Sequence, residues 1–123
     1  SSSSAASDVY KRQLNTLRAS LASGEHAFAD TLAFITAHYS YQPQAFRNGG
    51  VENAAGQNEG SCKTLGLALL EGLSDQEALL AFGEHYRDVV ATPEGTDHGN
   101  IRALIQHGLA GVQFAGQPLQ RLA

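Results

Sequence analysis

Two stretches far apart in the chain hold the residues with the most chemical reach. The first is Asn53-Ala-Ala-Gly56-Gln-Asn58-Glu59-Gly60-Ser61-Cys62-Lys63. Its glycines free the backbone, Ser61 is a good N-cap for a following helix, and Lys63 falls in that helix's first turn. Backbone N–H groups at such a helix start point toward whatever binds there, and the helix dipole favours an anion. The second stretch is Thr96-Asp97-His98-Gly99-Asn100-Ile101-Arg102. Thr96 or Asp97 can cap another helix there. The leading expectation is non-enzymatic. These two helix starts and a corner at His38-Tyr39 form one polar cup for a small polar ligand or a partner's backbone. The plainer alternative is a structural loop whose asparagines satisfy its own backbone.

The same residues allow a covalent reading. A cysteine in the first turn of a helix has its thiolate stabilised. Cys62 as nucleophile, His98 as base and Asp97 or Asn100 as orienter would make a cysteine-dependent hydrolase or transferase. The competing reading is an inert, buried Cys62 with Asp97 capping a helix. Gly56-x-x-x-Gly60-Ser-Cys-Lys63-Thr64 is not a nucleotide P-loop. Its spacing is wrong and no buried strand precedes it. His38, His85, His98 and His107, with Glu84 and Asp97, are numerous enough to ligate a metal. No H-E-x-x-H or paired C-x-x-C spacing organises them, so no metal or cofactor is assigned. His26 and His107 read as surface residues near helix ends. Glu52 and Glu59 carry no assigned acid–base role. Tyr39, Tyr41, Phe46 and Tyr86 read as packing, and Arg102 as one half of an exposed ion pair.

These side chains need elements to place them. Leu14, Leu17 and Leu21 recur at helical spacing up to Ser23-Gly24, and Phe28, Leu32 and Ile35 mark a second helix to about His38. Pro43 ends helical continuity. Ala45-Phe46-Arg47, the turn Asn48-Gly49-Gly50 and Val51-Glu52-Asn53 predict a hairpin. A helix capped by Ser61 runs to Gly72. Ser74 and Glu77 form a capping box that opens the longest helix, up to Thr92-Pro93. A last helix from Asp97 ends at Gly108, and Val112 and Phe114 alternate as in a strand. The fold class expected is α+β and mainly helical: about five helices with a small two- or three-stranded β element.

Composition bounds the rest. The chain has 123 residues and a formal charge of −4. That length suits one domain. Leu, Ile, Val and Phe number 28, a little above the roughly 20% below which chains stay disordered. The charge is acidic and lacks basic runs, which argues against nucleic-acid phosphates and anionic lipid as partners. No apolar run approaches the ~20 residues of a membrane span. One cysteine excludes an internal disulfide. Residues 1–13 read as a disordered or artefactual leader, 14–116 as the domain and 117–123 as a tail.

From Leu32 to about Leu119 the sequence resembles the HopJ family, named for a type III effector of plant-pathogenic bacteria. The resemblance rests on Ala37-His38-Tyr39, Ala45-Phe46-Arg47-Asn48-Gly49, the stretch Asn53 to Lys63, Phe82-Gly83-Glu84, Tyr86-Arg87, and Pro93 to Arg102. His85 stands where the family usually shows an aromatic. The resemblance implies a mainly helical α+β domain and supplies no reaction. The chain is expected in the bacterial cytoplasm, with type III secretion suggested by the family resemblance alone. The matched polar residues are the candidate binding set: His38, Tyr39, Asn48, Asn53, Asn58, Ser61, Cys62, Lys63, Asp97, His98, Asn100 and Arg102.

Overall fold

The computed structural model describes residues 2–122, with side chains from Asp8 onward. Six helices and five short strands follow one another along the chain. They are α1 (Ser2–Ala22), α2 (Phe28–His38), β1 (Tyr39–Tyr41), β2 (Phe46–Asn48), β3 (Val51–Asn53), α3 (Glu59–Glu71), α4 (Asp75–Leu80), α5 (Glu84–Ala91), α6 (Gly99–His107), β4 (Val112–Phe114) and β5 (Leu119–Arg121). The fold is α+β and mainly helical. The strands form two antiparallel sheets, β1–β5 and β3–β2–β4. In the larger sheet, the predicted hairpin pairs Phe46 with Asn53 and Asn48 with Val51, and β4 adds Phe114 opposite Phe46.

Helix α3 is central. Every residue from Thr64 to Ala68 is buried, together with Cys62. A helix this apolar on all sides belongs inside a core. It separates two apolar clusters. One joins Leu65, Leu79, Phe82, Val89, Ile101, Leu104 and Val112 beneath the three-stranded sheet. The other joins Leu67 to Leu17, Leu21, Ile35, Tyr39 and Leu119 under α1. The segment read as a leader contributes residues 8–13 to α1, where Tyr10 donates to the His38 carbonyl at 3.0 Å. The segment read as a tail contains β5, which sets Leu119 opposite Tyr41.

The structure alters three helix boundaries. The Ser74–Glu77 capping box is present with both of its bonds. The helix it opens stops at Leu80, however, and a separate α5 begins at Glu84. Gly83 causes the break. Its φ is +60°, and a Cβ there would lie 2.8 Å from both Ala27 C and His26 O. Side chains cannot fit that close backbone approach, so only glycine serves. Ser61 is not the cap of α3, and Asp97 is not the cap of α6. Those positions belong to Asn58 and His98, both left-handed, at φ 53°, ψ 51° and φ 52°, ψ 51°. Among the described residues, these are the non-glycine residues with positive φ. His98 is the more strained of the two, because asparagine enters that region more readily than other L-residues.

Candidate functional site

The two left-handed caps face one cavity of about 380 Å³. Its polar wall is made of Asn58, Gly60 and Ser61 from the start of α3, and His98, Gly99 and Asn100 from the start of α6. His85, one residue into α5, closes a third side. The apolar wall is Phe28, Val51, Phe82 and Ile101. Phe28 and Phe82 stack with their planes 6° apart. The edge of Phe28 meets His85, with centroids 5.1 Å apart.

Neither cap side chain accepts a hydrogen bond from its own helix. Asn58 is engaged elsewhere, donating to Asn53 Oδ1 at 2.6 Å. The first turns of both helices therefore border the cavity without the usual side-chain acceptor for their N–H groups. Asparagine side chains bind the two starts together. Asn100 Nδ2 donates to Asn53 Oδ1 at 2.9 Å, and Asn48 Nδ2 donates to the Asn100 carbonyl at 2.8 Å. Asn48, Asn53 and Asn100 are all buried. These three position the cavity wall, and only Asn100 of them lines it.

The other expected residues separate. Tyr39 lies in the cluster under α1, His38 packs its ring against Phe34 with centroids 4.7 Å apart, and neither is part of the lining. Tyr39 donates its hydroxyl to Glu71, which also pairs with Arg121. Burial pushes the Tyr39 hydroxyl far up, and the Glu71 carboxylate adds to that. Lys63 turns away from the cavity and sets its Nζ 4.7 Å over the Tyr41 ring. Arg102 clamps the preceding loop through Thr92 O at 2.8 Å, Asp97 O at 2.6 Å and Asp97 Oδ1 at 2.7 Å. That guanidinium holds the Asp97 carboxyl below the ordinary carboxylate range.

The covalent reading does not survive the geometry. Cys62 is 1% exposed and lies inside the first core cluster. Its thiol points at the Gln44 carbonyl, 3.8 Å away. Beside it, the Tyr41 hydroxyl is pushed up by burial and by the Cys62 neighbour. Among the described residues no histidine bonds to Cys62, because its position in α3 faces the core while His98 faces the cavity.

One grouping escaped the sequence. His85, Asp88 and His98 each offer a ligand atom within 4.8 Å of the others. The His85 and His98 rings lie 5.1 Å apart at 39°. The H-x-x-D spacing was visible, but the third member arrives from another helix. His26, read as a surface residue, is buried and bonded to Ser20 Oγ and Thr31 Oγ1 at 2.7 Å each.

The comparisons with known proteins follow the same outline. The family model described as HopJ type III effector protein matches residues 13–119. The chain belongs to the HopJ family. A crystal structure titled as that of the unknown-function protein VPA0580 is similar to this HopJ member at 37% identity and a TM-score of 0.85. The match covers 91% of this chain and 92% of that one. No match is found among the curated proteins. Among the described residues of this HopJ member, no helix is long and apolar enough to cross a membrane.

Proposed function

We propose that this HopJ domain is a binding module whose cavity takes a small amphipathic molecule headed by a carboxylate or phosphate. One observation carries the reading. The two left-handed non-glycine residues among those described, Asn58 and the more strained His98, are the caps of two helices that open into the same cavity. Backbone strain of this kind collects at functional sites because surrounding structure must hold it. The volume, about 380 Å³, falls in the range of small-molecule sites. Phe28, Phe82, Val51 and Ile101 suit the apolar part of a ligand, and the two helix starts suit its oxygens. No Lys or Arg lines the cavity, so recognition rests on backbone donors rather than on an ion pair. The reading places the domain in the bacterial cytoplasm, with export by a type III apparatus suggested by the family's name alone.

Amide chemical-shift mapping tests the reading. Inorganic phosphate and a series of small carboxylates would be titrated in the presence of EDTA. The expected result is saturable shifts at Gly60, Ser61, Gly99 and Asn100, with little change at Gln113 in the shallow groove across β2. Shifts confined to that groove, or none at either helix start, overturn it.

A further inference from the structure

We propose that His85, Asp88 and His98 bind a divalent first-row transition ion, with zinc(II) as the probe, at the rim of the cavity. Asp88 lies outside the cavity lining, and this inference does not rest on the cavity taking an organic ligand. Residues three apart on a helix share a face, so α5 presents His85 and Asp88 together. His98 joins them from the start of α6, and the three ligand atoms fall within 4.8 Å of one another. Two imidazoles and one carboxylate are a donor set for zinc, iron, cobalt or nickel, leaving open positions for water or a ligand oxygen. Calcium and magnesium prefer oxygen donors alone.

Bonds of about 2.0–2.1 Å to each donor place tetrahedral ligand atoms roughly 3.3 Å apart. The trio must therefore contract somewhat on binding. Asp88 is exposed, and among the described residues its carboxylate has no hydrogen bond or ion pair, so it is free to make that movement. His85 is already oriented by the edge of Phe28. Asp97, fixed by Arg102, stands with its carboxylate 3.9 Å from His98 Nε2 and adds a negative charge beside that ring. The positive ends of α5 and α6 oppose a cation here. Asp88, within the trio, and Asp97, beside His98, offset them with two carboxylates.

Calorimetric titration of the metal-stripped full chain with zinc(II), in buffer without phosphate, tests this. A cobalt(II) titration read by visible absorption reports the coordination. One ion per chain is expected. His85→Gln or His98→Asn should each weaken binding by about 100-fold or more, the upper range for disturbing a metal's ligand support. Asn is chosen at 98 because it tolerates the left-handed backbone, which preserves the fold. Asp88→Asn should weaken binding about 10-fold, and His38→Gln should leave it unchanged. Binding unaltered in both His85→Gln and His98→Asn overturns the assignment, as does the absence of heat and of a cobalt band at millimolar metal. The phosphate and carboxylate titrations in EDTA report on the cavity separately, so either proposal can fail alone.

Discussion

His26 and the His85–His98 pair are the same residue type in opposite situations. His26 is 4% exposed, and both ring nitrogens meet hydroxyls at 2.7 Å. Thr31 Oγ1 donates to the Ala81 carbonyl. Its remaining capacity is to accept, so His26 carries its proton on Nε2 and accepts from Ser20 on Nδ1. Each polar atom in that chain has a protein partner. At the cavity rim, His98 keeps about a third of its side chain exposed, at 33%. Among the described residues neither His85 nor His98 has a ring hydrogen bond. A buried polar group with all its partners is structural, whereas a half-open one without them is available. Saturation, more than residue type, separates scaffold from site here.

Gly83 joins the two regions, and changing it should have the largest effect. Its backbone packs on residues 26–28, and the next residue, Glu84, accepts from Phe28 N at 2.7 Å. Gly83→Ala puts a Cβ into the His26 and Ala27 backbone at a φ of +60°. Backbone strain of 1–3 kcal/mol is usual for such a residue, and the clash adds to it, so a loss of about 3 kcal/mol or more is expected. Chemical denaturation measures it. A loss under about 1 kcal/mol would mean that the 26–28 segment moves aside freely and that the two regions are not rigidly joined.

The second effect is smaller and runs through pH. Burial lowers the His26 pKa from its ordinary 6.5; Asp30 and Glu84 act against the shift and Arg87 reinforces it. The unfolded chain therefore binds this proton more readily than the folded one. Stability rises with pH wherever the unfolded state holds more protons. Acidification from neutral pH through 6.5 should then erode stability until the folded-state pKa is passed. His26→Gln should be less stable at neutral pH and lose that part of the slope. Equal slopes in the two proteins between pH 7.5 and pH 5 would show that His26 is not held neutral by the fold.

These contrasts explain what could be read in advance. Local chemistry was legible: the Ser74–Glu77 capping box, the Asn48-Gly49-Gly50 turn, the Gly108 stop and the β-pattern of Val112 and Phe114 all depend on near neighbours. The segments that line the cavity, 58–61 and 98–100, were also visible as Gly- and Asn-rich starts. Their cap residues were not. Ser61 and Asp97 have better capping side chains than Asn58 and His98, but Arg102 engages Asp97, and Asn53 holds Asn58 in its left-handed turn. The break at Gly83, its close backbone approach to His26, and the pairing of β5 with β1 all depend on chain far away in sequence, although the hydrogen-bond partners of His26 are near. Local periodicity carries none of that. His85–Asp88–His98 is hidden because His98 reaches the other two from the start of another helix, which no spacing announces.

The smallest effect is also the sharpest, because its sign differs from that of an ordinary substitution. His98 occupies φ 52°, ψ 51° without a side-chain bond to its own helix. An L-residue in that conformation costs roughly 1–2 kcal/mol, while glycine there adds unfolded-state freedom worth about 0.5–1 kcal/mol. His98→Gly should therefore leave stability unchanged or raise it by up to about 1 kcal/mol, while removing zinc binding. Asn58→Gly at the same backbone angles is the control. Asparagine is less strained there, and the change loses the 2.6 Å bond to Asn53, a net contribution of about 1 kcal/mol, so it should destabilise the protein. If His98→Gly instead destabilises the protein as much as Asn58→Gly does, His98 is held by packing, and its strain marks a structural corner rather than a site.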